Sequence, residues 1–150
     1  MDSFEASLNN VLVDTFNNIL KYEETSLKNV LNVPVTMTEA HMIEAVGKYD
    51  DNEATVSKIA SLLGIAMPTA TVAIKKLESK GFIKKVPCEK DARRAIVSLT
   101  DMGKRIEKTH RIFHQKMVRN ISKQFADAEK DMLLKTIKTL NEFFRVRVEA

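Results

Sequence analysis

Residues 55–100 restrict what this chain can fold into more tightly than any other stretch. The segment reads Thr-Val-Ser-Lys-Ile-Ala-Ser-Leu-Leu-Gly from Thr55, Pro-Thr-Ala-Thr-Val-Ala-Ile-Lys-Lys-Leu-Glu from Pro68, Gly-Phe-Ile from Gly81, then Asp91-Ala92-Arg93 ahead of Ser98-Leu99-Thr100. Val56, Ile59, Ala60 and Leu63 recur at helical spacing and predict a short helix with one inward face. Gly64 supplies the permissive backbone of a tight turn, and Ile65 is the buried plug behind it. A second helix follows, with Ala70, Ala73, Ile74 and Leu77 inward and Thr69, Thr71, Val72, Lys75 and Lys76 outward. Gly81 ends it as a left-handed cap. Phe82–Pro87 and Ala95–Leu99 alternate and are rich in β-branched residues, with a charged connection between them, which predicts a hairpin.

The rest of the chain reads as helix. Leu8, Leu12, Phe16, Ile19 and Leu20, then Leu27, Val30 and Leu31, keep helical spacing through the first thirty residues, and Pro34 stops the run. A helix of that length with an apolar stripe needs a partner surface. Thr36 or Thr38 caps the next helix, which runs to Gly47 or a little beyond, and Asp50-Asp51-Asn52-Glu53 is a loop. Asp101 is expected to cap a long helix whose stripe is Ile106, His110, Phe113, Met117 and Ile121. After Ala126-Asp127 a last helix carries Met132, Leu133, Ile137, Leu140 and Phe144. The fold class is therefore mainly α with a small β-hairpin wing, a winged helix-turn-helix over 36–100 with helical regions at 1–35 and 101–150. At 150 residues it forms one module, or one that pairs with a copy of itself.

Charge then points to a partner. The net charge is +4, but between Lys75 and Arg94 eight Lys/Arg face three Asp/Glu, so the excess sits beside the helix pair. That concentration is the footprint of phosphate contact, and the partner it implies is double-stranded DNA. A recognition helix needs short side chains near its start to meet base edges and cations further along to meet phosphate. Thr69, Thr71 and Val72 suit the first task, Val72 against a thymine methyl; Lys75 and Lys76 suit the second, and Pro68 joins them as a DNA-binding residue. Ser57 and Lys58 on the preceding helix would hold the backbone. In the wing, Asp91 would hold Arg93 extended for a narrow minor groove, and Lys84, Lys85, Lys90 and Arg94 would neutralise flanking phosphates. The plainer interpretation of the helix pair alone is an amphipathic surface element; the hairpin behind it argues against that.

Other classes fare worse. No nucleophile–base pair, glycine-rich phosphate loop or paired carboxylate motif stands out, so no enzyme is expected. A protein-interaction module is the alternative class. The one cysteine, Cys88, fits a reducing compartment and reads as a bystander thiol. With no basic-then-apolar leader and no membrane-length apolar run, a cytoplasmic location is expected.

The helix pair, the Asp91-x-Arg93 wing and Ser98-Leu99-Thr100 before a long helix resemble the MarR family of bacterial regulators across essentially the whole chain. The resemblance implies an interlocked homodimer, with 1–35 and 101–150 as its dimerisation region and a ligand cleft near the junction. It also marks a departure: Ala66 stands where relatives usually place a Ser or Thr cap. Phe16-Asn17-Asn18-Ile19-Leu20 with Glu23-Glu24, Glu39 to Ile43 through Val46-Gly47-Lys48, and His110 to His114 through Met117-Val118 are similar to the subgroup that represses fatty-acid synthesis in response to acyl-acyl carrier protein. That implies an acyl chain in an apolar channel near Phe16, Glu24, His41, His110, Phe113 and His114, with an acidic carrier protein outside against Arg111, Lys116 or Arg119. The resemblance requires no cofactor. A rival is zinc. His110 and His114 lie at i, i+4, and with His41 and Glu23 or Glu24 (Glu24 taken as the ligand) they resemble the ligand set of the family's zinc sensors.

Overall fold

The computed structural model describes residues 1–49, 53–87, 89–91 and 94–149. Six helices and a two-stranded sheet follow in order: α1 (Ser3–Leu31), α2 (Met37–Gly47), α3 (Val56–Leu63), α4 (Met67–Ser79), β1 (Ile83–Pro87), β2 (Ala95–Leu99), α5 (Asp101–Ser122) and α6 (Asp127–Val148). The chain divides into two compact units, Met1–Phe113 and His114–Ala150. Among the described residues no single helix is long and apolar enough to cross a membrane.

Local chemistry explains most of the helix ends in the first unit. Asp2 and Glu5 form a reciprocal capping box at the start of α1, and Asn32 ends that helix in the left-handed region at φ 51°. Thr36, not Thr38, caps α2: its hydroxyl accepts from the Glu39 N–H, while the Glu39 carboxylate accepts from the Thr36 N–H. Thr55 caps α3 through the Lys58 N–H. The start of α4 has no side-chain cap, as Ala66 implied.

Two glycines close the helix pair in the same way. After α3, Gly64 takes φ 64°, its N–H donates to Ser61 and the Ile65 N–H reaches back to the Ala60 carbonyl. After α4, Gly81 takes φ 80°, its N–H donates to Glu78 and the Phe82 N–H reaches back to Leu77. Both are Schellman closures, in which a left-handed residue lets two following amides satisfy orphan carbonyls. Each is followed by an apolar residue on the core, Ile65 half-buried and Phe82 fully so. The axes of α3 and α4 meet at 111°, within the range of a helix-turn-helix.

The hairpin pairs antiparallel from Ile83↔Leu99 to Pro87↔Ala95. Simple alternation fails in β2, where Ile96, Val97, Ser98 and Leu99 are all buried. The cause is a third neighbour: the Val97 N–H donates to the Ala54 carbonyl at 2.7 Å, and Thr55 bridges Ile96, so β2 runs between β1 and the entry to α3. One core holds the first unit together, with Leu27 and Leu31 from α1, Ile43 and Val46 from α2, Ile59 from α3, Ile74 and Leu77 from α4, Val97 from β2 and Ile106 from α5.

The start of α5 corrects the expected cap. Thr100, not Asp101, does this work: its hydroxyl accepts from the Gly103 N–H at 3.1 Å and donates to the Gly81 carbonyl at 2.6 Å. Asp101 lies inside the first turn. Thr100 wins because it satisfies a group at each end of the joint, whereas Asp101 has only its favourable place near the helix dipole.

The second unit is α6 with the end of α5. Ala126 precedes α6, its N–H donating to the Glu129 carboxylate at 2.8 Å. No residue of α6 is buried, and Met132, Leu134, Ile137, Phe143 and Phe144 are all about half exposed or more. A helix of 22 residues with that much bare apolar surface is built to be covered.

Candidate nucleic-acid interface and helix-junction site

The helix pair and hairpin carry a set of exposed cations. Pro68 and Thr69 at the start of α4, and Val72, Lys75 and Lys76 further along it, are exposed; Val72 is 69% exposed, unusual for a valine on a helix whose other face is core. Thr71 departs from the sequence expectation. It is half-buried, and its hydroxyl donates to the Met67 carbonyl at 2.9 Å, leaving only an acceptor for a base or phosphate. The absence of a cap at Ala66 leaves first-turn amides of α4 without a side-chain acceptor, and such amides suit phosphate oxygens.

Ser57 and Lys58 are exposed on the first turn of α3. On the hairpin, Lys84 is exposed and Lys85 half-buried, while Lys90, Asp91 and Arg94 are exposed around the tip. The Arg94 N–H donates to the Asp91 carbonyl at 3.0 Å. Arg93 and Cys88 lie outside the described residues. Among the described residues, the helix pair and hairpin thus expose Lys58, Lys75, Lys76, Lys84, Lys90 and Arg94, cations suited to a polyanion. Lys76 also stands 3.6 Å from the buried Glu39 carboxylate on α2, a partner that sequence spacing does not reveal.

A second site lies where α1, α2 and α5 meet in the first unit. His110 is 2% exposed, with Nε2 3.0 Å from Glu23 Oε1 on α1 and Nδ1 3.4 Å from Glu44 Oε2 on α2. The His41 ring centroid is 5.7 Å from that of His110, and Tyr22 meets Phe113 edge-on at 4.9 Å. Ligand atoms of Glu23, His41 and His110 lie within 4.8 Å of one another.

This arrangement corrects one expected ligand. Glu23 is buried and faces His110, whereas Glu24 is exposed. Consecutive helix residues diverge by about 100°, and Glu23 shares the phase of Leu27 and Leu31, the buried side of α1. Of the other expected cleft residues, Phe16 is 65% exposed, His41 is exposed, and Phe113 is half-buried. His114 is half-buried and opens the second unit.

The chain is similar to known proteins. The MarR family profile matches residues 35–95, from the approach to α2 into β2. The uncharacterized HTH-type transcriptional regulator YwaE of Bacillus subtilis (strain 168) is 40% identical over 74 residues, which cover 49% of this chain and 43% of that regulator. The chain spans about half the length of the curated relatives it matches. Among solved structures, Streptococcus pneumoniae FabT in complex with DNA is 30% identical and superposes with a TM-score of 0.85, covering 94% of this chain and 97% of FabT. The Staphylococcus aureus MepR–DNA complex is 17% identical with a TM-score of 0.69, covering 89% of this chain and 96% of MepR, a likeness of fold.

Proposed function

The chain belongs to the MarR family of transcriptional regulators, and from that premise we propose that it is a homodimeric, sequence-specific DNA-binding repressor acting in the bacterial cytoplasm. The observation that carries this reading is the outward face of α4. Thr69, Val72 and Lys75 stand clear of the core beside a basic hairpin, in a chain that superposes on FabT solved with DNA. The dimer rests on the bare apolar faces of α1 and α6, which the first and second units respectively leave uncovered. Two α4 helices would enter successive major grooves of a pseudo-palindrome, with half-site centres about 10 bp apart.

The effector we favour is long-chain acyl-acyl carrier protein acting as corepressor of fatty-acid biosynthesis genes. Support comes from the blocks around Phe16, Ala40 and Phe113, which extend well past the histidines, and from the apolar side chains Tyr22 and Phe113 meeting at the helix junction. Corepression requires that the ligand prefer the DNA-competent spacing of the two reading heads, because only differential affinity shifts an equilibrium.

Zinc is the second reading, favoured by the grouping of Glu23, His41 and His110. Two imidazoles and a carboxylate are the donor types zinc prefers, and their 4.8 Å spread closes to a ligand shell with small side-chain movements. Glu44 would then orient His110 through its other ring nitrogen.

A duplex selected by the protein from a random pool provides the probe. Its affinity is measured with long-chain acyl-carrier protein, with free carrier protein, and with zinc or a chelator. Tighter binding with the acylated carrier alone supports the first reading. Weakening by chelator, reversed by zinc, moves zinc ahead. No response to either ligand removes both effectors, and failure to enrich any duplex removes the DNA-binding reading itself.

A further inference from the structure

Glu39 has more to do than start a helix. Its backbone N–H and one carboxylate oxygen complete the capping box with Thr36, where Oε2 accepts from the Thr36 N–H at 3.3 Å. The other oxygen crosses to α4. Oε1 accepts from Lys80 Nζ at 2.6 Å and stands 3.6 Å from Lys76 Nζ, gripping two cations one helical turn apart. The Glu39 side chain is 7% exposed, that of Lys80 30% and that of Lys76 63%. A carboxylate so far out of water persists where cations and hydrogen bonds answer it.

Among the described residues, the polar contacts from α2 to Lys76 and Lys80 run through Glu39. A cavity of about 330 Å³ opens between them, lined by Thr36, Met42, Ala73 and Leu77 among others. The buried Ala70, Ile74 and Leu77 pack one face of α4 on the core, and a charge-assisted hydrogen bond adds a direction to that packing. The start of α4 has no side-chain cap. Beside the packing of Ala70, Ile74 and Leu77 and the Gly81 closure, the grip of Glu39 is a directional tie on the roll of α4. Roll matters because neighbouring positions on a helix point about 100° apart, so a modest rotation turns Val72 off a base edge.

We infer that Glu39 is a positioning residue for sequence readout. Through Lys80 it holds α4 at the roll that presents Thr69, Val72 and Lys75 to base edges. By occupying Lys76 and Lys80 it also limits indiscriminate phosphate contact. The inference rests on the DNA-reading function proposed above.

The test uses the full chain and the duplex selected by the unaltered protein, with a scrambled duplex beside it, each titrated across a range of salt. Glu39→Gln keeps the size and much of the hydrogen bonding while removing the charge. In that variant the preference for selected over scrambled duplex should fall about tenfold. Its salt slope on scrambled duplex should steepen by about one to two, as the freed lysines reach phosphate. Lys80→Met should lose a similar preference without the steepening, since it removes a cation instead of releasing one. A folded Glu39→Gln protein with unchanged preference and slope overturns the inference. If that variant does not fold, Lys80→Met decides, and an unchanged preference there overturns it equally. Where the unaltered protein enriches no duplex, the proposed function fails and this inference with it; enrichment with unmoved ratios defeats this inference alone.

Discussion

Gly103 and Phe82 are packed so closely that a β-carbon on Gly103 would collide with the Phe82 carbonyl oxygen and lie 3.3 Å from the Leu99 Cβ. The first turn of α5 thus rests directly on the turn that ends α4, and the Thr100 hydroxyl bonds both sides of the joint.

Gly103→Ala should consequently destabilise the protein despite the better helix propensity of alanine. The propensity gain is about 1 kcal/mol, while overpacking costs about 1–3 kcal/mol and here meets rigid backbone. Chemical denaturation should show a net loss, and a variant as stable as the parent would show that the joint yields easily.

Ala66→Ser should act in the opposite direction. A hydroxyl at the start of α4 could accept from its first-turn amides, where no side chain does so now. The gain should be about 0.5–2 kcal/mol, read from denaturant midpoints. The backbone at Ala66 is already extended, at φ −69° and ψ 148°, so the cap requires no rearrangement.

Phe16→Asp should weaken self-association and leave the fold of the first unit intact. Phe16 is 65% exposed, as are Val11 and Val30 to a similar degree, so the core of the first unit does not depend on it. Sedimentation at micromolar concentration should move from dimer toward monomer while the helical circular dichroism persists. An unshifted dimer would place the association surface elsewhere.

The end of α6 carries a pH signature. Arg145 bonds Glu142 with two nitrogens, at 2.8 and 2.6 Å, and Glu149 with a third at 2.6 Å. The guanidinium holds the Glu142 carboxyl below its ordinary range, overcoming a slight opposing effect of desolvation, and Arg145 is raised in turn chiefly by Glu142. A depressed carboxyl stabilises the helix end fully above its unfolded value of about 4.3, and the support fades as pH falls through the lower folded value. The protection of last-turn amides of α6, with the intrinsic exchange rate at each pH divided out, should therefore fall only in acid. Arg145→Gln should bring Glu142 back to ordinary titration by NMR; an unaltered titration would dissociate the two groups.

Much of the fold could be read from residue spacing, because glycines at Gly64 and Gly81 and the 3.6-residue phase of the inward residues are local signals. What escaped has long-range causes. Thr100 and Asp101 are both plausible caps until the Gly81 carbonyl, 19 positions back, is brought to Thr100. The unbroken burial of Ile96, Val97, Ser98 and Leu99 follows from Ala54 and Thr55 lying along the far edge of β2, which no alternation within β2 reports. The grip of Glu39 on Lys80 spans 41 positions, beyond the reach of any local pattern. Glu23 against Glu24 is different: the phase shared with Leu27 and Leu31 was present in the sequence and would have chosen correctly.

The matching glycine closures on either side of α4 carry a consequence for descent. Ala70, Ile74 and Leu77 keep the helix on the core, and Gly64 and Gly81 set where it starts and stops, so Thr69, Val72 and Lys75 are released from any duty to the scaffold. With α4 reading the duplex as proposed above, substitutions at those three places would rewrite the address the protein recognises while its architecture goes on unchanged, letting a lineage acquire new targets one tolerated replacement at a time.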